Sequence, residues 1–145
     1  MPADIKTVAI LPFDNLTTEP ALTQQVNEAV QTAMLNRLGL RAAGESTADA
    51  VVRGSITRYE PDLPVAYTSG AVTNEAGNQN VTVTQRALQM TVTIEIYDQR
   101  AQKTLWQRSG LIVEANYPPG QESLGRERAL DKLVTDIVDG AQSQW

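Results

Sequence analysis

Leu88-Gln89-Met90-Thr91-Val92-Thr93-Ile94-Glu95-Ile96 alternates large apolar with polar side chains over nine consecutive positions. A period of two is the pattern of a β-strand with one face in a core and the other in water. Downstream, Asp98-Gln99-Arg100-Ala101-Gln102 interrupts the pattern. A second alternation then runs through Leu105, Gln107, Ser109, Leu111, Val113, Ala115 and Tyr117, so a hairpin joins two antiparallel strands. Upstream, Val81, Val83 and Ala87 have the opposite parity, which calls for a bulge near Gln85 and Arg86 or a change of face.

Further out, the stretch from Asp62 to Asn80 holds prolines, glycines and small polar residues and reads as a long exposed connection. Before it, Ala48 to Tyr59 reads as a strand closed by Pro61 and Pro64, with Gly54 marking a bulge or a close backbone approach. Ile5 to Phe13 is apolar on both parities and predicts a covered strand. Leu22, Val26, Ala29, Val30, Ala33, Met34 and Leu38 recur at helical spacing after Pro20, with Gly39 as the C-terminal cap. Leu124, Leu130, Leu133, Val134, Ile137, Val138 and Ala141 form a second helical stripe that Trp145 continues. The expected fold is therefore α+β, one domain over residues 1–145: a two-layer sandwich in the order strand-helix-strand-strand-strand-helix. Its sheet is expected to be four-stranded and mostly antiparallel, with both helices on one face.

Composition removes several functions. The 145 residues include no histidine and no cysteine, which excludes an imidazole base, a thiolate nucleophile, disulfides and zinc sites built on those residues. A formal charge of -5 without a basic cluster argues against nucleic acid as a partner. No apolar run approaches the roughly 20 residues of a membrane-spanning helix, so the chain as read is soluble. Asp14, Asp49, Asp98 and Glu114 lie near strand ends, where the first and third of those aspartates have turn roles. Ser46, Ser55, Ser69 and Ser109 have no base to activate them. No catalytic residue, metal site or cofactor is expected.

What remains is binding. On the alternation, Trp106 points away from the helix-covered face. It reads either as a partner-facing anchor or as half of a cross-strand aromatic pair with Tyr97, and both are candidate partner-facing residues. Arg100, Lys103 and Arg108 cluster on the hairpin and its return strand, with Arg53 and Arg58 on a neighbouring strand; converging, they would suit phosphate or carboxylate groups.

The segment Ile5-Lys6-Thr7-Val8-Ala9-Ile10-Leu11-Pro12-Phe13-Asp14-Asn15-Leu16-Thr17-Thr18-Glu19-Pro20 resembles the opening of the LptE-like lipopolysaccharide-assembly lipoproteins. Ala48-Asp49-Ala50-Val51-Val52-Arg53-Gly54-Ser55-Ile56 looks like that family's second strand, Val92 to Trp106 like its strand, aspartate turn and Leu-Trp return, and the final helix ending in Trp145 like its close. The resemblance implies a non-enzymatic outer-membrane lipoprotein facing the periplasm, which sits within the barrel of the translocon LptD and helps deliver lipopolysaccharide to the cell surface. It also implies an acylated N-terminal cysteine. This chain carries none, so the expectation is a leader and lipobox preceding it in the natural precursor, with membrane attachment only through that lipid anchor. The family's lipopolysaccharide-contacting residues are not matched by motif, so Arg100, Lys103 and Arg108 are assigned to lipopolysaccharide from charge and hairpin position. The alternative is a periplasmic lipoprotein of the curli-secretion or penicillin-binding-protein-activator type, whose members also open with an apolar strand, Pro-Phe and Asn.

Overall fold

The computed structural model describes residues 2–73 and 79–143. In chain order the elements are β1 (Thr7–Ile10), β2 (Asp14–Asn15), α1 (Ala21–Asn36), β3 (Arg41–Ala42), β4 (Ala50–Thr73), β5 (Gln79–Asp98), β6 (Lys103–Tyr117) and α2 (Glu122–Ser143). Trp145, expected to extend the last stripe, lies outside the described residues.

The sheet runs β3-β1-β4-β5-β6, with β2 also on β4. The expected antiparallel half is present: β4 pairs β5 and β5 pairs β6 in antiparallel register. The other half corrects the expectation, because β1 and β2 both lie parallel to β4 and β3 lies parallel to β1. The cause is α1, whose crossover returns the chain to the end of the sheet where β1 began. The strand expected over Ile5 to Phe13 is shorter, ending at Ile10, and pairing resumes only at Asp14, because Pro12 has no N–H to give to the ladder. Leu11 and Leu16 still donate to Val52 and Ile56 across the break, at 2.9 Å each. The sheet is thus mixed and six-stranded.

The stretch from Asp62 to Asn80 is the second correction. Instead of a loop, β4 continues to Thr73 and β5 starts at Gln79, pairing through Thr73 and Gln79 with several register shifts beyond Ile56. Threonine, valine and tyrosine sustain extended backbone there, and the bulges absorb Pro61 and Pro64, which a regular ladder would reject. Past Arg86, the last β5 residue level with β6, the two strands pair only with each other among the described residues.

Both helices cover one face. Leu22, Val26, Val30 and Met34 of α1 and Leu133, Ile137 and Ala141 of α2 join Leu88, Met90, Val92, Ile94 and Ile96 in one buried cluster. The inward parity of β5 is the one its alternation predicts. Helix α1 ends at Asn36 with Arg37 as its cap, just before Gly39, whose φ of 67° lets Leu40 N–H reach back to the Met34 carbonyl at 3.2 Å. Asn27 pins the helix to the sheet: its side chain accepts from Phe13 N–H at 3.1 Å and donates to the Leu11 carbonyl at 3.2 Å, on either side of Pro12.

Candidate functional site

Among the described residues, the face of the sheet opposite the helices is covered beside β1, where Ala9, Ala48 and Val51 form a small second cluster with Leu11 and Ala43. Across β4, β5 and β6 register sets out the rest in rows: Arg53, Glu95 and Gln107; Arg58, Thr91 and Ile112; Glu60, Gln89 and Glu114. The odd residues of β5 that alternation assigned to solvent therefore lie at the centre of an open polar surface.

Arginines and glutamates pair on it, Arg53 with Glu95 and Arg58 with Glu60. Arg53 Nε meets Glu95 Oε1 at 2.6 Å, and the Arg53 guanidinium lies 4.9 Å from the Tyr97 ring centroid, a cation–π distance. The Thr104 hydroxyl donates to the other Glu95 oxygen at 2.9 Å. Partial burial raises the Glu95 pKa, but the Thr104 hydroxyl and Arg53 outweigh it and hold the carboxyl below its usual 4.5. A depressed carboxylate pKa adds stability above the unfolded value and loses it as pH falls through the folded one. Glu95→Gln is therefore expected to cost less than about 1 kcal/mol at neutral pH, a cost that fades as the pH falls through the depressed pKa, as read by urea unfolding of both proteins at neutral and acid pH. A cost that persists in acid would mean that the glutamate packs rather than pairs.

The candidate cations do not form one patch. Arg100, in the β5–β6 turn, meets Asp49 Oδ1 at 3.6 Å. Asp49 is a latch: its other oxygen accepts from the Lys6 and Thr7 amides at 2.9 and 3.2 Å, and those bonds, the Lys6 one foremost, lower its pKa. Lys103 stands level with Asp98 at the start of β6. Arg108 is level with Ile94, an inward position, and lines a groove of about 730 Å³ with Trp106, Asp136 and Asp139. Lys103 and Arg108 form no ion pair among the described residues. Asp98 is the turn residue expected, 3% exposed and accepting from the Arg100 and Ala101 amides.

Trp106 corrects the expectation of an outward side chain. It is 8% exposed and sits beneath α2, so close to Gly140 that a β-carbon there would lie 2.3 Å from the indole ring. Two register shifts in β6 explain it: one near Ser109 and Gly110, where Gly110 has φ 67°, and one at Leu105. Each flips side-chain parity, so Trp106 faces inward opposite Ile96. Gly110 within the alternation was the available signal. Tyr97 remains on the open face, partly buried under Arg53.

A polar collar not foreseen from sequence joins the long hairpin to the helices. The Tyr59 hydroxyl donates to Glu122 at 2.8 Å and accepts from Arg126 Nε at 3.1 Å, while Arg126 also meets Glu122 at 3.2 Å and Glu19 at 3.7 Å. Burial, with Glu122 beside it, pushes the Tyr59 hydroxyl up to about 12. Tyr117 donates to the Pro61 carbonyl, and Arg86 pairs with Asp62. No side-chain signature in one segment announces such a network, since its members are up to 107 positions apart. A cleft of about 520 Å³ between α1 and α2 adjoins the collar, floored by Ala29, Ala33, Leu130 and Val134.

Among the described residues there is no cluster of carboxylates able to hold a metal, and no helix is long and apolar enough to cross a membrane. Three solved structures share the fold over most of the chain. A minor lipoprotein from Acinetobacter baumannii is 20% identical with a TM-score of 0.53, over 92% of this chain and 90% of that one. The PelC dodecamer subunit from Paraburkholderia phytofirmans is 16% identical with a TM-score of 0.55, over 96% and 90%. The hypothetical protein CT253 from Chlamydia trachomatis is 15% identical with a TM-score of 0.55, over 94% and 98%. No curated protein sequence matches. The model of the LptE lipopolysaccharide-assembly family matches residues 5–140, which include every strand, the collar and nearly all of α2. The chain belongs to the LptE lipopolysaccharide-assembly family, a family of outer-membrane lipoproteins.

Proposed function

We propose that the chain is a single LptE-like domain that acts without catalysis in lipopolysaccharide transport, binding lipopolysaccharide and scaffolding or plugging the LptD barrel at the periplasmic face of the outer membrane. The observation that carries this reading is the family match together with the open, largely polar face of β4, β5 and β6, on which Arg53 pairs with Glu95 and Arg58 with Glu60. The interior of an outer-membrane barrel is itself polar, so a plug must offer hydrogen bonds rather than apolar area. Co-purification from outer membranes tests it. The lipidated protein should retain LptD, and Thr91→Glu with Thr93→Glu, which add charge to the middle of that face, should release it while the protein stays folded. Retention by the double variant would remove the face from the proposal, and failure of the unmodified protein to retain LptD would remove the barrel.

For lipopolysaccharide, the cations Lys103 and Arg108 are better placed than Arg100, which Asp49 partly neutralises. Each basic residue near an anionic lipid surface contributes roughly 1 kcal/mol, so Lys103→Ala with Arg108→Ala should weaken binding by about tenfold or more, less so in high salt. Arg100→Ala should weaken it by much less. Equal effects of all three substitutions would return the site to the turn.

A further inference from the structure

Helices α1 and α2 run side by side in the same direction, because Gln25 meets Arg126 near their starts and Arg37 meets Thr135 further along. Between them one row of each helix makes an apolar floor, Ala29 and Ala33 on α1, Leu130 and Val134 on α2. The rows stay in step since both helices repeat every four residues or so. Each end of this cleft is closed by an arginine. Arg126 Nη1 donates to Gln25 Oε1 at 3.4 Å at one end, and Arg37 Nη1 donates to Thr135 Oγ1 at 3.0 Å at the other. From Gln25 to Arg37 the helix advances about 18 Å, a little over three turns. Ala29 and Leu130 are only partly buried, so the floor is open above.

The rim is acidic. Glu28 on α1 and Glu127 and Asp131 on α2 are exposed beside the floor, and among the described residues none of them has an ion pair. Cations nearby are already engaged. Arg126 is held by Glu122 and Glu19, and Arg128 and Lys132 turn to the β6 carbonyls of Asn116 and Glu114. That leaves three carboxylates facing the single guanidinium of Arg37. Glu127 and Asp131, one turn apart on the same helix, also repel each other, a cost that a cation set beside them removes.

We propose that the cleft between α1 and α2 receives a helix of another protein, about three turns long, with an apolar stripe flanked by lysine or arginine. Both walls are helices whose backbone groups are bonded internally, so an extended segment would find no backbone partner there, whereas a helix arrives with its own groups satisfied. The alanines of the floor let its axis come close. A second copy of this chain is disfavoured, because joining two such faces sets Glu28, Glu127 and Asp131 of one against the same residues of the other. Among the described residues the chain has no third helix to lay in the cleft. The site is on the helix side of the sheet, away from the open face, and does not depend on the barrel reading.

The probe is a fourteen-residue peptide with leucine at every third or fourth position and lysine on both flanks, added to the full chain. Alone in water a peptide of that length is largely unfolded. On binding it should gain helical circular dichroism, with saturable amide shifts confined to the stretches around Ala29–Ala33 and Leu130–Val134. The glutamate-for-lysine peptide should bind more weakly by about tenfold or more. Glu127→Lys with Asp131→Lys, both exposed, should reverse that preference, and Ala29→Met should fill the floor and weaken either peptide by about tenfold or more. Equal affinity for the two peptides, binding without a gain of helix, shifts on the open sheet face, or indifference to both variants would each overturn the assignment. So would saturable occupation of the cleft by a monomeric dodecyl detergent that the lysine peptide fails to displace, which would make it a site for an aliphatic chain.

Discussion

Trp106→Ala is expected to destabilise the protein by about 3–5 kcal/mol, the cost of emptying a large aromatic site in a packed core. The ring lies between β6 and α2 and belongs to the main apolar cluster, so its loss leaves a void that two rigid elements cannot close. For a domain of this size the melting temperature should fall by roughly 10 °C. Its neighbour provides the internal check. Alanine favours helix over glycine by about 1 kcal/mol, yet Gly140→Ala should destabilise, because the new methyl group would meet the indole at 2.3 Å. In the Trp106→Ala background the same change should become neutral or stabilising. Urea unfolding of the four proteins reads out the cycle. A cost under about 1 kcal/mol for Trp106→Ala would place the ring at the surface.

Gly54→Ala is expected to cost at least about 3 kcal/mol, above the usual range for overpacking by a single methyl. An added β-carbon would lie 2.2 Å from the Thr93 carbonyl oxygen and 3.1 Å from Ile94 Cα, both backbone atoms of β5, and 2.9 Å from the Phe13 ring. Side chains can turn aside; paired strands cannot, so β4 and β5 would have to part at the middle of the sheet. Gly44 is the control. Its nearest neighbour, Thr47 Oγ1, would stand 3.8 Å from a new methyl, and Gly44→Ala should change stability by less than about 0.5 kcal/mol. Tolerance of alanine at position 54 would show that the strands flex more than a close-packed sheet allows.

What was legible in the sequence was whatever repeats locally. The period-two run from Leu88 to Ile96 gave its face correctly because β5 is regular there and is paired on both sides. Both helical stripes and the turn at Gly39 held for the same reason, being fixed within a few residues. Gly54 as a close approach was readable because a glycine inside an apolar strand has few other uses. The parallel placement of β1 was not, since strand direction depends on where α1 lands and not on any residue of β1. Trp106 was misdirected by two bulges, each adding one residue and reversing parity, so a pattern counted from Leu111 fails by Arg108. Among the candidate residues, the position of the β5–β6 turn and the outward placement of Tyr97 followed from local pattern. Local pattern missed that Asp49 holds Arg100 and that the collar around Tyr59 exists, because both depend on partners far along the chain.

The mixed sheet also sets an order of assembly. Asp98 and Lys103 bring β5 and β6 together across a turn of four residues, whereas Val8 must find Ala50 across 42 positions. Loop-closure entropy makes the second encounter costlier by about 2 kcal/mol before either earns any contact. The nucleus for folding therefore belongs to the β5–β6 hairpin with α2 laid over it, and β1 joins late, drawn in by α1 and fastened by Asp49 and Asn27. Substitutions in the β1 latch would accordingly speed unfolding and leave the folding rate nearly untouched.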